Sequence, residues 1–153
     1  MKTIIAAVDS SSMSESVVVE AAELARAAKG RVVLLTVVQP PVITSEYAPA
    51  LDNLAEITAI SEKAAARHLE NLRDRLERDG ITSETVQDAG APVTQILRHA
   101  REKAADYIVM GSHGHTAFYD LLVGSTTHGV LLRAPCPVLI VPPKEKKKRD
   151  GRE

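Results

Sequence analysis

The chain contains no tryptophan, three tyrosines and one phenylalanine among its 153 residues. Because aromatic side chains are so scarce, aliphatic residues and alanine must build the core, which is typical of helices packed on a parallel sheet. The single cysteine, Cys136, excludes an internal disulfide. We therefore expect a reducing compartment and predict a cytoplasmic protein.

Long apolar runs are also missing. No stretch approaches the roughly 18 apolar residues that a membrane-spanning helix needs. The N-terminus enters Ile4, Ile5 and Val8 directly, without the basic and apolar leader typical of exported proteins. The sequence therefore predicts neither export nor a membrane partner.

Charge is unevenly distributed along the chain. The net charge is −1, whereas residues 144–153 hold six Lys/Arg against three Asp/Glu, or +3, which leaves −4 for the rest. Such a basic tail can contact nucleic acid or acidic lipid. Since no aromatic residue is interleaved with it and the body is acidic, we expect a disordered, solvated tail and no nucleic-acid partner.

Five short apolar runs alternate with helical patterns, which predicts one α/β domain over residues 1–143, a parallel sheet wound with helices. The strands are predicted at 3–8, 31–38, 82–87, 107–110 and 138–141. About four helices are predicted. The first runs around 17–28 and is ended by Gly30, and the second is long, is ended by Gly80 and buries the seam Ala65, Leu69, Leu72 and Leu76. The third begins at Pro92 and the fourth runs around 126–133. The second strand, apolar on both faces, should be central, and the polar third strand should lie at an edge.

The segment after the fourth strand carries Gly111-x2-Gly114-x9-Gly124-Ser125. Glycine lets backbone N–H groups approach an anion closely, and Ser125 is predicted to be the N-cap of the next helix, whose dipole favours negative charge. The carboxyl end of a parallel strand is also where such folds bind ligands. The residues alone leave two interpretations open, a phosphate site or a plain turn followed by an ordinary helix start.

Two common nucleotide motifs, the P-loop and Gly-x-Gly-x-x-Gly, are absent. Without the P-loop lysine that neutralises β- and γ-phosphate charge, any hydrolysis of a bound nucleotide is expected to be slow.

The glycine motif has the form and spacing of the ATP-binding signature of the universal stress proteins. The chain resembles that family over nearly its whole length, with further matching segments at 4–9, 33–38, 108–112 and 134–141. The resemblance implies a doubly wound, five-stranded parallel sheet of order 3-2-1-4-5. It also implies ATP as ligand, with or without Mg²⁺, and a homodimer.

The resemblance further implies roles for individual residues. Asp9 is similar to the ribose contact, Val37 to the adenine contact, and Ser125 with the glycines to the phosphate contacts. The predicted ATP-binding residues are Ala7, Asp9, Ser10, Val37, Met110, Gly111, His113, Gly114, Gly124, Ser125 and Thr126. Ser10, Ala91, His115 and His128 depart from the common family pattern. Ser10 bears on the first turn and Ala91 on a helix cap, whereas His115 and His128 leave details around the triphosphate open.

The family implies a nucleotide-dependent regulator or sensor with an unidentified protein partner and at most slow ATP hydrolysis. No general base is evident, so no catalytic residue is predicted, although Ser125, Thr126 and Thr127 are candidates for autophosphorylation by position. One alternative is a protein-interaction or chaperone-like dimer with a vestigial nucleotide site. Another is an AMP or cyclic AMP binder that uses the same cleft.

Other patterns have simpler explanations. His113, His115 and His128 suggest a zinc site, but no Cys or carboxylate is placed to complete it, so no metal site is predicted. His113 alone is either a hydrogen-bond donor to a γ-phosphate or a solvated loop residue, and Cys136 is expected to be a small buried residue.

Two surface features also stand out. Tyr47, Pro49 and Leu51 form either a lid or a mobile connection. The wholly apolar strand 138–141, at a sheet edge in the family's strand order, predicts a homodimer by antiparallel pairing.

Overall fold

The computed structural model describes residues 1–40, 51–113 and 123–144. Within them the chain alternates strands and helices. The elements are β1 Lys2–Ala7, α1 Met13–Ala28, β2 Gly30–Val38, α2 Leu51–Arg78, β3 Ser83–Ala89, α3 Pro92–Glu102, β4 Tyr107–Gly111, α4 Ser125–Arg133 and β5 Val138–Val141.

All five strands pair in parallel in the order β3-β2-β1-β4-β5. The predicted single α/β fold and strand order are confirmed. β1 lies at the centre, where Ile5 pairs with Val33 on one side and with Ile108 on the other. From β1 the chain adds strands first on one side of the sheet (β2, β3) and then on the other (β4, β5), so the strand order reverses between β1 and β4. Open α/β sheets bind ligands at such a reversal.

Helices cover both faces of the sheet. Ile4 and its same-face neighbours pack against α1 and α2, whereas Ile5 and residues of the opposite face pack against α3 and α4. Successive strand side chains point to opposite faces, so a strand covered on both sides must be apolar throughout. This explains why the central strands read as unbroken runs of Ile, Val and Leu.

The prediction that Gly30 ends α1 is wrong. Lys29 occupies the left-handed C-cap position (φ 51°, ψ 48°), and its N–H bonds the carbonyl oxygens of Ala25 and Arg26. Gly30 instead begins β2, where an added Cβ would lie 2.8 Å from the Lys2 carbonyl oxygen. The glycine is thus required for close strand approach, and the preceding lysine takes the strained conformation.

Gly80 does end α2, as predicted. Its φ is +74°, and the next residue, Ile81, donates its N–H to the Leu76 carbonyl oxygen at 2.9 Å. This 6→1 bond is the usual C-terminal glycine motif.

Two predicted surface segments fall wholly or partly outside the described residues. Most of the basic tail, residues 145–153, lies outside them, as do Tyr47 and Pro49 of the possible lid. Leu51, the third residue of that lid, is the first residue of α2. In the parts of the chain that are described, no helix has the length and apolar character to cross a bilayer.

Candidate functional site

A cleft of about 910 Å³ opens at the carboxyl ends of β1, β2 and β4. Its size falls within the range of ligand pockets, about 300–1,000 Å³. Ten of the eleven predicted ATP-binding residues line it: Ala7, Asp9, Ser10, Val37, Met110, Gly111, His113, Gly124, Ser125 and Thr126. The eleventh, Gly114, lies outside the described residues.

Asp9 enters the cleft from the turn between β1 and α1. Its carboxylate Oδ1 accepts the N–H of Ser11 at 2.8 Å. Its own N–H donates to Ser14 Oγ at 3.2 Å, and the Ser14 hydroxyl donates to the Asp9 carbonyl oxygen. This set of local bonds fixes the direction of the carboxylate before any ligand binds.

The ends of β1 and β2 are tied together below the cleft. Val8 donates its N–H to the Leu35 carbonyl oxygen at 2.9 Å, and the buried Thr36 hydroxyl donates to the Val8 carbonyl oxygen, also at 2.9 Å. Val37, the next residue, is half-buried and presents an apolar surface to the cleft.

Main-chain bonds bring residue 124 back to the end of β4. Gly124 donates its N–H to the Ser112 carbonyl oxygen at 2.8 Å, and the buried Thr127 hydroxyl donates to the Gly111 carbonyl oxygen at 2.8 Å. An added Cβ on Gly124 would lie 3.3 Å from the Ser112 carbonyl oxygen, and one on Gly111 would lie 3.0 Å from Met13 Cε. Both glycines therefore stand where a side chain would crowd the wall of the cleft.

The N-terminus of α4 differs from the prediction by one residue. Gly124, with φ −67° and ψ 161°, is the N-cap, and Ser125 is the first helical residue. The N–H groups of the first turn have no intrahelical partner, and none has a main-chain partner among the described residues. Because glycine carries no capping side chain, these N–H groups and the helix dipole face the cleft uncompensated, an arrangement suited to an anion.

The described lining of the cleft holds one carboxylate, that of Asp9, two histidines, His68 and His113, and neither lysine nor arginine. His113 Nδ1 lies 2.9 Å from Ser112 Oγ. Over the described ranges, no three His, Cys, Asp or Glu side chains gather as a metal site would require. His115, part of the zinc alternative, lies outside those ranges.

The sequence did not predict the contribution of α2. Ser61, Ala64, Ala65 and His68 line the cleft, and of these only Ala65 was named, as part of the buried seam. Their spacing of i, i+3, i+4 and i+7 places them on one side of the helix, and this is the signal that identifies them. Met13 and Thr127 were likewise missed as lining residues.

Comparisons with known proteins agree with this architecture. The family model described as "Universal stress protein family" matches residues 1–142. Universal stress protein YxiE of Bacillus subtilis (strain 168) is 33% identical over 141 residues, which is 88% of this chain and 95% of that protein.

Two solved structures are also similar. The structure of protein MJ0577, from Methanocaldococcus jannaschii, superposes with a TM-score of 0.80 at 27% identity, covering 95% of this chain and 98% of that one. A universal stress protein in complex with cAMP superposes with a TM-score of 0.64 at 27% identity, covering 92% and 96% of the two chains.

Proposed function

Because the chain belongs to the universal stress protein family, we propose that it is a cytoplasmic ATP-binding protein that acts as a nucleotide-dependent regulator. The observation that carries the proposal is the gathering of ten predicted contacts around one cleft. That cleft ends at a helix N-terminus with no side-chain cap. A triphosphate joined to a flat aromatic base and a hydroxyl-bearing sugar matches such a lining.

Each part of the nucleotide has a chemical counterpart in the cleft. Val37 offers apolar surface for adenine, and the fixed Asp9 carboxylate accepts hydrogen bonds from the ribose hydroxyls. The phosphates lie between Gly111 and the first turn of α4, where main-chain N–H groups and the Ser125 hydroxyl donate to them. Gly114 joins the phosphate contacts by family resemblance.

The absence of Lys and Arg from the described lining bears on chemistry. Phosphoryl transfer needs cationic groups that stabilise charge on the transferring phosphoryl group. Main-chain N–H groups can hold a triphosphate without supplying that charge. Mg²⁺, if it binds with ATP, would be held mainly by phosphate oxygens and water, since Asp9 is the one carboxylate in this lining. We therefore propose slow turnover at most.

Cyclic AMP is the alternative ligand, since one structural neighbour was solved with it. A smaller nucleotide would use the Val37 and Asp9 contacts with fewer contacts to α4. A vestigial site in an interaction module is the other alternative, and it requires a cleft that binds no nucleotide.

The test is to release and identify any copurified nucleotide by mass spectrometry, then to titrate ATP, AMP and cyclic AMP calorimetrically. Gly124→Val places a branched side chain against the Ser112 carbonyl oxygen and in the path of the phosphates. We expect ATP affinity to fall at least about tenfold, or about 1.4 kcal/mol.

Arg101→Ala, an exposed change on α3, is the control and should bind as wild type. Thermal melts verify that the variants are folded. Wild-type protein without measurable nucleotide binding would contradict the proposal, and tighter binding of cyclic AMP than of ATP would favour the alternative ligand.

We further propose that two copies pair through β5. This strand is at the edge of the sheet, Leu139 on it is 40% exposed, and Leu132 on the neighbouring α4 is 68% exposed. An apolar edge strand can pair with another chain, and antiparallel pairing of identical edges gives a closed two-fold dimer.

Leu139→Glu tests the dimer, because an exposed position tolerates the charge without loss of the fold. We expect the wild type to sediment as a dimer with a dissociation constant below about 100 μM, or roughly 5.5 kcal/mol, and the variant to sediment as a monomer. A wild type that is monomeric at that concentration would rule out this interface.

A further inference from the structure

Ser14 is the one polar residue on the buried face of α1. The other buried residues of this helix are Val17, Val18, Ala21, Ala22 and Ala25. Ser14 itself is only 1% exposed. Serine is a weaker helix former than alanine, and an alanine side chain would fill almost the same space at this position. The hydroxyl group of Ser14 therefore serves something other than the packing of α1.

This hydroxyl group bonds both main-chain polar groups of Asp9. Its oxygen accepts the Asp9 N–H at 3.2 Å, and its proton is donated to the Asp9 carbonyl oxygen. The Ser14 N–H in turn donates to the Ser11 carbonyl oxygen at 3.3 Å, while the Ser11 N–H donates to the Asp9 carboxylate at 2.8 Å. One buried side chain thus holds the main chain from which the carboxylate projects.

Ser14 can act on a ligand only through Asp9. Because Ser14 is almost wholly buried, it has hardly any surface to offer a molecule in the cleft. Asp9 is half-buried and supplies the one carboxylate of the described lining. Hydrogen bonds weaken steeply when donor and acceptor are misaligned. A shift in the main chain of Asp9 therefore changes how well its carboxylate can accept a hydrogen bond from a ligand.

We propose that Ser14 is a positioning residue that enables the protein to distinguish ribonucleotides from nucleotides without ribose hydroxyls. The inference rests on the proposed function, in which the Asp9 carboxylate accepts hydrogen bonds from the ribose. Without the Ser14 hydroxyl, the Asp9 N–H and carbonyl oxygen lose this partner, and the main chain shifts to satisfy them elsewhere. The carboxylate then meets the ribose at a poorer angle. ATP loses affinity for this reason, whereas an analogue without ribose hydroxyls has no such bond to lose.

A purely structural role for Ser14 makes a different prediction. If its hydroxyl only stabilises the turn between β1 and α1, its removal lowers the melting temperature and changes the affinities for ATP and for the analogue by the same factor. If it positions Asp9, the affinity for ATP falls and that for the analogue does not. The ratio of the two dissociation constants therefore separates the two roles.

The experiment titrates ATP and 2′,3′-dideoxy-ATP calorimetrically into wild type, Ser14→Ala, Asp9→Ala and the double variant. We expect the wild type to bind the analogue about tenfold more weakly than ATP, because a hydrogen bond to a charged group is strong. Ser14→Ala should reduce this ratio to about threefold or less, and Asp9→Ala should bring it near one. In the double variant, the loss of the Ser14 hydroxyl should cause no further loss of ATP affinity, because both changes remove the same interaction.

Thr3→Val is the matched control. Thr3 is also buried, at 7% exposure, and its hydroxyl oxygen accepts Arg31 Nε at 3.3 Å. It lies near the start of β1, at the opposite end of the strand from the cleft. Thr3→Val removes a buried hydroxyl without touching Asp9, so it should lower the melting temperature and keep the wild-type ratio.

The outcomes separate this inference from the proposed function. A wild type that binds no nucleotide contradicts the proposed function itself. A wild type that binds ATP and the analogue equally well contradicts the ribose contact of Asp9, and the inference with it. A wild-type ratio in folded Ser14→Ala contradicts only the role of Ser14. Should Ser14→Ala misfold, Ser14→Cys, which has a similar size and a much weaker donor and acceptor, takes its place, and a wild-type ratio there overturns the inference.

Discussion

Asp106 shows how one side chain fastens distant parts of the chain. Its Oδ2 accepts the N–H of Thr3 at 2.8 Å, and its Oδ1 pairs with Lys2 Nζ at 2.9 Å. Its own N–H donates to the Thr3 carbonyl oxygen at 2.8 Å. The Thr3 N–H, and after it Lys2, holds the pKa of the Asp106 carboxyl below its usual value. The start of β1 is thus attached to the turn before β4.

A pH dependence of stability follows from that lowered pKa. A carboxyl whose pKa is lower in the folded state stabilises the protein above its unfolded pKa, about 3.9. That contribution is lost as pH falls through the folded value. We expect Asp106→Asn to lower the free energy of unfolding at pH 7 and to have little effect once the wild-type carboxyl is protonated.

Urea titrations of wild type and Asp106→Asn across the acid range measure this difference. A stability gap of the same size at every pH would contradict it. Asp74→Asn, an exposed acid on α2 that lies 3.9 Å from Arg73, is the control and should show a much smaller gap at neutral pH.

The two wrong assignments at single residues share a physical cause. Local preference assigns Gly30 and Ser125 to helix ends. The structure gives these terminal positions to Lys29 and Gly124. Position 30 requires glycine because the Lys2 carbonyl oxygen of another strand approaches it closely, and position 124 favours glycine because the Ser112 carbonyl oxygen does the same. Such contacts come from residues distant in the chain, so local preference carries no information about them.

Cys136 was expected to be a small buried residue. It is half-buried beside the cluster under α3 and α4. Burial, more than the charge of Asp106, raises the pKa of its thiol. The thiolate fraction at neutral pH is accordingly low, which makes this cysteine slow to react.

The strands and helices themselves were predictable because their periodicity follows from burial. β2 is covered on both faces and reads as a continuous apolar run. β3 lies at the edge and has a polar sequence, in which Glu84 pairs with Arg31 and Lys103. The contribution of α2 to the cleft was not predictable, since Ser61 and Ala64 are exposed and resemble an ordinary solvent-facing side.

Close packing of α3 on α4 depends on Gly129. An added Cβ there would lie 2.8 Å from Val93 Cγ2 and 3.2 Å from Val93 Cγ1. Because Val93 is β-branched and stiff at χ1, it has little room to withdraw. The two helices therefore meet where one has no side chain.

Gly129→Val should destabilise the protein by about 1–3 kcal/mol through overpacking. Combining it with Val93→Ala should recover part of that loss, because the smaller partner leaves space. Chemical denaturation of the two single variants and the double variant gives the coupling between the positions. Strictly additive effects would show that these two residues do not determine the spacing of the helices.

For the molecule as a whole, the family resemblance predicted the strand order and the position of the cleft. The position of the cleft follows in turn from the strand order. A parallel sheet with a reversal of winding has one crevice at its carboxyl edge, and the motif residues fall at strand ends that meet there. The predicted adenosine contacts have no such basis in physics, because Asp9 and Val37 are an ordinary acid and an ordinary strand residue until a known family is compared.

The strand order has a further consequence for how the chain acquires its structure during synthesis. β1, β2 and β3 are neighbours both in sequence and in the sheet, so the first half can assemble as it emerges, while β4 must add later to the open side of β1. Domains of this size often pass through such partly assembled states. The cleft takes residues from both halves and is complete only after they dock. Under the proposed function, a bound nucleotide would stabilise the finished molecule over its half-built precursor by mass action. The cellular nucleotide level would then help to set how much of this protein survives.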